Sequence, residues 1–337
     1  MTTRRDFLKA AGGLAAGATL GMPLAARAAE AEPLTFMTPF GFIPDFLEMM
    51  NMVSGGFLAR QGFKPTLLGG HGTATAVQQL MSGRVSFMRL TAVDIFTAVA
   101  KGAPLLCVST LYQGSNFHFI SSAEKPVKSA EELKGKTVGV VSVGGSTEQL
   151  LDMTLRAVGL TKADVKIQVV GNSPGAMQFV KQGRIDCFIN SIAVVVALRQ
   201  SHTPIESWAT DRYVPMPSQT YVTTPELAKT KPDVVVRFLK ALKGSTEDML
   251  HGDIAAIFRR ASKDFEIPGI KDMDELVALM EFTMKGPWMA EGKQNFLRNV
   301  PELWEKAAKE VQESGIAKVK NVKALYTNEF IDEALKA

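Results

Sequence analysis

Cysteine, histidine and an excess of either charge are what this sequence has least of. Two cysteines in 337 residues exclude a small fold held by disulfides, so apolar burial must build the core. The four histidines, His71, His118, His202 and His251, stand apart. None has an i,i+3 or i,i+4 partner or a Cys or carboxylate at ligand spacing, and no metal is expected. After residue 28 no apolar run reaches membrane-spanning length, so the mature chain reads as soluble. Over the full sequence 38 Lys and Arg nearly balance 34 Asp and Glu. There is no basic stripe of the kind that replaces counterions on phosphates, which argues against nucleic acid as a partner.

What is present is ordinary globular composition, 46% apolar and 21% charged, with length for about two domains that each bury a core. The first 28 residues stand outside that estimate. Residues 2–9 read Thr-Thr-Arg-Arg-Asp-Phe-Leu-Lys, followed by an Ala/Gly/Leu stretch and the small-x-small site Ala26-Arg27-Ala28. This is a twin-arginine export signal, with cleavage expected near Ala28 and the periplasm as destination. Gly and Pro23 interrupt the apolar stretch, which suits a removable signal better than a span. Removing it takes away Arg4, Arg5, Lys9, Arg27 and Asp6 and leaves 34 basic against 33 acidic side chains. Export permits a disulfide, but Cys107 and Cys187 both lie in apolar, strand-like runs, and two buried free thiols are expected.

Short apolar runs alternate with helical periodicity, which predicts an α/β protein with mainly parallel sheets. Strands are expected at 34–37, 66–68, 85–88, 105–110, 137–141, 166–170 and 186–189. Helices are expected at 45–61, 73–82, 92–101, 147–158 and 175–182. Ser146 with Gln149, Ser129 with Glu132, and Thr224 before Pro225 read as helix starts. The run Gln-Gln-Leu-Met-Ser-Gly-Arg-Val-Ser-Phe at 78–87 returns one hundred residues later as Gln-Phe-Val-Lys-Gln-Gly-Arg-Ile-Asp-Cys at 178–187. Gly after a helix is common on conformational grounds, yet the repeated helix, Gly-Arg, strand order implies two domains built alike.

In open parallel sheets ligands sit beyond the carboxyl ends of the strands. The loops expected there hold Phe40, Gly41 and Phe42, then His71, Gly72 and Thr73, then Arg89, Leu90 and Thr91. The second half contributes Ser142, Gly145, Ser146 and Thr147, then Asn172, then Asn190 and Ser191. Several lead into a helix whose free N–H groups can hold an oxygen. Ser146 and Thr147 read equally as helix caps or as ligand contacts. The Gly-rich turn at 139–147 lacks the Lys of a phosphate loop and the dinucleotide spacing, so no cofactor is expected. Arg89 reads either as a bidentate partner of a carboxylate or sulfonate or as the ion-pair partner of Asp94. Asp45 reads as an acid in the first turn of its helix, with a basic nitrogen as the alternative partner. Phe40 and Phe42 flank Gly41 in a turn and suit a planar solute; Phe46 fits the core, and Tyr112, Trp208 and Trp288 are further candidates for the cleft wall.

Taken in order, several fragments resemble one family. They include Gln-Leu-Met-Ser-Gly-Arg-Val-Ser-Phe at 79–87, Ser-Ala-Glu-Glu-Leu-Lys-Gly-Lys-Thr-Val-Gly-Val at 129–140, Gly-Arg-Ile-Asp at 183–186, Pro-Asp-Val-Val-Val-Arg-Phe-Leu-Lys-Ala at 232–241 and Tyr-Thr-Asn-Glu-Phe-Ile at 326–331. The family is that of the periplasmic solute-binding proteins of ATP-driven importers, in the branch that handles nitrate, sulfonates, taurine and thiamine-pyrimidine precursors. The resemblance implies the type II arrangement of two Rossmann-like lobes around a ligand cleft. One lobe would be discontinuous, 33–116 with 224–337, and the other 117–223, with hinge crossings near 117–122 and 217–223. It also implies a monomer that closes on a small solute, anionic or heteroaromatic, and presents it to an ABC permease and its ATPase. An ion-driven carrier or a sensor kinase is the alternative partner. Two departures stand out: Ser86 replaces the family's Asp in the first Gly-x-x-Asp step, and the Cys-rich motif of the pyrimidine-synthesising relatives is absent. No Gly-x-Ser-x-Gly elbow or other catalytic constellation favours an enzyme.

Overall fold

The computed structural model describes residues 31–336; the export signal lies outside them. The chain opens with strand β1 (Glu32–Thr38), helices α1 (Leu47–Ser54) and α2 (Phe57–Arg60), and β2 (Phe63–Gly69). Next come α3 (Thr73–Met81), β3 (Phe87–Leu90), α4 (Ala92–Ala100) and β4 (Leu106–Tyr112). The middle of the chain holds β5 (Phe117–Ser122), β6 (Thr137–Val140), α5 (Ser146–Ala157), β7 (Lys166–Val169) and α6 (Met177–Lys181). It ends with β8 (Cys187–Ser191), α7 (Ile192–Gln200) and β9 (Ile205–Ala209). The last strand, β10 (Gln219–Thr223), precedes α8 (Pro225–Thr230), α9 (Pro232–His251), α10 (Ile254–Ala261), α11 (Met273–Lys285), α12 (Pro301–Glu313) and α13 (Glu329–Leu335).

The ten strands form two five-stranded sheets of one design. The first runs β2-β1-β3-β10-β4 and the second β7-β6-β8-β5-β9. In each, three parallel strands meet an antiparallel fourth, β10 against β3 and β5 against β8. The hundred-residue echo is therefore structural. Gly83 and Gly183 both take left-handed φ, 71° and 68°, where a side chain would be strained. The following amides repeat too: Arg84 N donates to Gln79 O and Ser86 N to Thr35 O, as Arg184 N does to Phe179 O and Asp186 N to Thr137 O. Asp186 also accepts from Thr137 N at 2.8 Å. That position lies at the amino ends of the strands, opposite the loops that follow their carboxyl ends, so the Ser86 departure falls where the sheet strands begin.

Aromatic packing fills both units. Phe87 stacks on Phe238 of α9 at 3.9 Å on one face of the first sheet, and Phe96 of α4 meets Trp304 of α12 at 5.8 Å on the other. In the second unit Trp208 stacks on Phe119 at 4.2 Å and donates its Nε1 hydrogen to Val127 O, a core role far from a cleft wall. The expected helix 45–61 is broken into a 3-10 turn, α1 and α2, because Gly55 and Gly56 intervene and Gly56 has φ 71°. The α5 start also differs from expectation: Gly145 flanks it and Ser146 is its first helical residue, without a side-chain cap. Thr224 does cap α8, accepting from Leu227 N at 3.1 Å.

The chain passes from the first sheet to the second through 113–116 and returns through 210–218. The residues at 117–122 and 219–223 are the strands that receive it, so β10 lies in the first sheet. The two passages are tied together. Ser115 N donates to Asp211 Oδ2 at 2.8 Å, Asn116 N donates to Ser218 Oγ at 2.9 Å, and Ser218 N donates to Tyr112 O at 2.9 Å.

Candidate functional site

Parallel order aims the carboxyl ends of β1, β2, β3, β6, β7 and β8 into loops at one edge of each sheet. In the first unit the loops after β1 and β2 zip together. Gly70 N donates to Thr38 O, Gly41 N to Gly70 O and Gly72 N to Pro39 O, all at 2.8–2.9 Å, and Phe40 bridges His71. Thr38 Oγ1 donates to Gly41 O and closes the turn from inside. A Cβ at Gly70 would lie 2.3 Å from Thr38 O, so only glycine permits this approach.

The zipped ribbon leaves Phe40 53% exposed at its tip, with His71 beside it, while Phe42 turns inward onto Phe265 at 4.9 Å. Facing loops of the second unit place Val143, 79% exposed, at the corresponding tip after β6. Ser142 and Asn172 are also exposed, Gly145 and Ser146 half-buried, and Thr147 buried, its hydroxyl accepting from Val141 N at 3.0 Å. Asn190 and Ser191 are buried; Asn190 Nδ2 donates to Gly171 O and its Oδ1 accepts from Ser191 N, which stitches the β7 and β8 loops.

Beneath the rim of the first unit lies a buried polar floor. Arg89, at the end of β3, has no exposed surface. Its Nη1 donates to Glu48 Oε1 at 2.6 Å and to Asp45 O at 2.7 Å, and its guanidinium lies 4.8 Å and 5.0 Å from the ring centroids of Phe46 and Tyr112. Tyr221, opposite Arg89 on β10, donates to the same Glu48 oxygen at 2.6 Å. Asp94, the alternative partner, instead closes the capping box of α4 with Thr91. From Tyr112 the contacts continue to Trp288 at 6.2 Å, and Gln113 N donates to Pro287 O at 2.8 Å.

Along this continuous run of contacts several buried polar atoms have no partner within the protein. They are Asp45 Oδ1, Arg89 Nε and Nη2, Gln113 Oε1 and Trp288 Nε1. Buried polar groups are normally hydrogen-bonded, so this concentration makes the floor the candidate site for a polar guest. Burial pushes the Asp45 carboxyl up to about 6, with Arg89 partly holding it down. Burial is the largest single effect and opposes the Arg89 charge, but Glu48, Tyr112, Tyr221 and Asp45 together outweigh it and hold the guanidinium above its ordinary range. Among the described residues no group of three His, Cys, Asp or Glu side chains is placed to hold a metal ion.

The description "NMT1/THI5 like" is that of the family whose model matches residues 44–253. This chain belongs to that family. A twin-arginine translocation signal matches residues 1–21, and the protein is exported to the periplasm. Over 87 residues the chain is 31% identical to the riboflavin-binding protein RibY of Chloroflexus aurantiacus, 26% of this chain and 25% of that protein. Over 148 residues it is 24% identical to a putative thiamine biosynthesis protein of Haemophilus influenzae, 44% of this chain and 47% of that one. The matches thus span a quarter to about half the length of these relatives. Among solved structures, the periplasmic aliphatic sulphonate binding protein SsuA of Escherichia coli superposes with a TM-score of 0.68 at 15% identity, over 89% of this chain and 99% of SsuA. The fold is the two-lobed α/β fold of the periplasmic binding proteins.

Within this family member the structure brings the expected residues to two levels. Phe40, Gly41, Phe42, His71, Gly72 and Thr73 form one lip, and Ser142, Gly145, Ser146 and Asn172 the other. Arg89 and Leu90 lie below as floor or core. Glu48, Gln113 and Asn116 were missed by sequence reasoning. Glu48 sits in the first turn of α1 and carries no motif, and Gln113 and Asn116 fall in a crossing whose position the sequence does not mark.

Proposed function

We propose that this protein is the substrate-binding component of an ABC-type importer, a monomer that captures a small solute between its two sheet units and presents it to a permease and its ATPase. Family membership, export to the periplasm, and the sulphonate-binding and riboflavin-binding names of its relatives support this reading. The single observation that carries it is the buried floor, with donors on Arg89 and Trp288 and acceptors on Asp45 and Gln113 that find no protein partner. The crossings at 113–116 and 210–218 would serve as the hinge between a lobe built on the first sheet and a lobe built on the second.

The solute best suited to these groups is a small planar heteroaromatic with both N–H and carbonyl edges. The exposed Phe40 and the half-buried Phe42 offer ring contact, and Asp45 offers an acceptor. A simple oxyanion fits less well, because the Arg89 charge is already neutralised by Glu48.

A melting screen over pyrimidines, flavins, aromatic carboxylates, sulfonates, nitriles and nitrate tests the reading. One class should raise Tm in proportion to the logarithm of its concentration without being consumed. A solute that is turned over would point to an enzyme, and indifference to every class would end the proposal.

A further inference from the structure

Three buried atoms without a partner among the described residues, Gln113 Oε1, Asn116 Oδ1 and His118 Nδ1, lie in one short passage where the chain leaves the first sheet and enters the second. Asn116 is 5% exposed and His118 9%. β5 runs antiparallel to β8, so its first residues lie beside the carboxyl end of β8, at the edge from which the loops after β6, β7 and β8 emerge. Phe117 pairs there with Ser191, and His118 with Asn190. Asn116 O accepts from Ile192 N at 2.8 Å at the start of α7, and Ile192 belongs to the same buried cluster as Phe46, Tyr112 and Trp288, the rings of the Arg89 floor. The second sheet therefore meets the floor at this passage.

The strand neighbours of His118 leave its Nδ1 unanswered. Asn190 has both amide atoms engaged, with Gly171 O and Ser191 N, and Ala209, opposite His118 on β9, has no polar side chain. Burial, with the Arg199 charge adding to it, keeps His118 neutral, so its ring offers one N–H and one lone pair. Asn116 Oδ1 is an acceptor. Buried polar atoms left unpaired are costly, so two of them at one sheet edge call for a partner from outside the chain.

We propose that Asn116 and His118 are specificity-determining residues that carry the solute site from the floor of the first unit onto the second, where they take the paired N–H and carbonyl edge of a lactam-bearing heterocycle. The inference rests on the reading of the Arg89 floor as the solute site and deepens it by naming the edge the solute must present. A lactam gives its N–H to Asn116 Oδ1 and its carbonyl to His118 Nδ1, which then carries the ring hydrogen. An oxyanion brings no hydrogen for Asn116 and meets no positive charge on the neutral His118, so the pair discriminates against it.

The test uses the full mature protein and two probes with a lactam edge, uracil and lumichrome, in titration calorimetry, with the Tm of unliganded protein measured alongside. Asn116→Leu and His118→Leu remove the polar atoms and keep much of the side-chain volume. Each variant should bind the tighter probe about tenfold more weakly, while its unliganded Tm equals or exceeds that of wild type because an unpaired polar group has been replaced by an apolar one. Where a leucine variant fails to fold, Asn116→Ala or His118→Ala gives the same comparison. Unchanged probe affinity in either variant, the result expected of a group that holds only water, overturns the proposal. So does a loss of affinity that comes with a lower unliganded Tm, which assigns the residues to packing. Wild type that answers to another solute class in the melting screen and to neither probe overturns it as well. Trp288→Phe separates these failures from failure of the floor: a probe weakened by Trp288→Phe but not by the leucine variants leaves the floor reading standing, whereas indifference of wild type to every class ends both.

Discussion

Arg89 and Glu48 form an ion pair with a 2.6 Å contact, and both side chains are sealed from solvent. The pair joins β3 to the first turn of α1. A buried pair is costly to break from one side, because the remaining charge is left without compensation. Glu48→Gln should therefore destabilise by about 3–5 kcal/mol. Replacing both residues together, Arg89→Met with Glu48→Leu, should cost much less, since no charge is stranded. Urea unfolding of the three proteins checks this; an equal loss in the single and double variants would show that packing, not charge, dominates.

Gly70 is fixed by backbone proximity. Its missing side chain lets the β2 loop pass within reach of the Thr38 and Pro39 carbonyls, and a Cβ would come within 2.3 Å and 2.6 Å of those oxygens. Backbone oxygens cannot rotate away as a side chain would. Gly70→Ala should cost about 1–3 kcal/mol and open the ribbon that presents Phe40, weakening solute binding by more than the stability loss alone explains. Gly72→Ala has no neighbour within 4 Å but sits at φ 127°, so it probes strain without a clash. Comparable melting temperatures for Gly70→Ala and wild type would contradict the argument.

Much of this architecture is legible in the residues themselves. Short apolar runs bounded by Gly and Asn mark the parallel strands, and the echo around Gly83 and Gly183 shows one design used twice. The rim of the site follows, because strand ends fix where loops emerge. The floor does not. Arg89 reads as a surface or ligand residue because its partner Glu48 lies 41 positions away on a helix whose register against β3 only packing decides. The crossings are hidden for a similar reason, since their residues have no distinctive composition and β10 joins the first sheet only through long-range pairing. Trp208 shows the reverse error: an aromatic near a crossing reads as a cleft wall, yet its ring is needed against Phe119.

The two cysteines sit in different sheets and are both free and buried. Cys107 donates to Asn299 Oδ1 at 3.0 Å, and burial pushes its thiol up to about 12; burial raises Cys187 as well. Thiolate is the reactive form, so neither should react with a thiol-specific disulfide reagent in the folded protein. Two equivalents should titrate in denaturant, and the rate under native conditions should follow global unfolding. Rapid labelling of one equivalent without denaturant would mean that one sheet opens locally.

Acid stability offers a test in which two buried groups act in opposite directions. His118, on β5 in the second sheet, is held neutral by burial, with the Arg199 charge adding to the effect, and its pKa falls to about 4. Between pH 6.5 and 4 the unfolded chain binds a proton there that the native state refuses, so stability is lost as pH falls. Asp45 behaves conversely. Its pKa rises to about 6 against an ordinary 3.8, so between those values the native state holds the extra proton and stability increases as pH falls. From pH 7 to pH 5 each contribution is about 1–2 kcal/mol and they largely offset, leaving wild type with a shallow decline in Tm. His118→Gln removes the loss, so its Tm should rise on going from pH 7 to pH 5. Asp45→Asn removes the gain, so its Tm should fall more steeply than that of wild type over the same range. Scanning calorimetry of the three proteins at both pH values decides the matter: parallel pH profiles would mean that neither group titrates differently in the folded state, and would remove Asp45 as a buried acceptor poised for a ligand N–H.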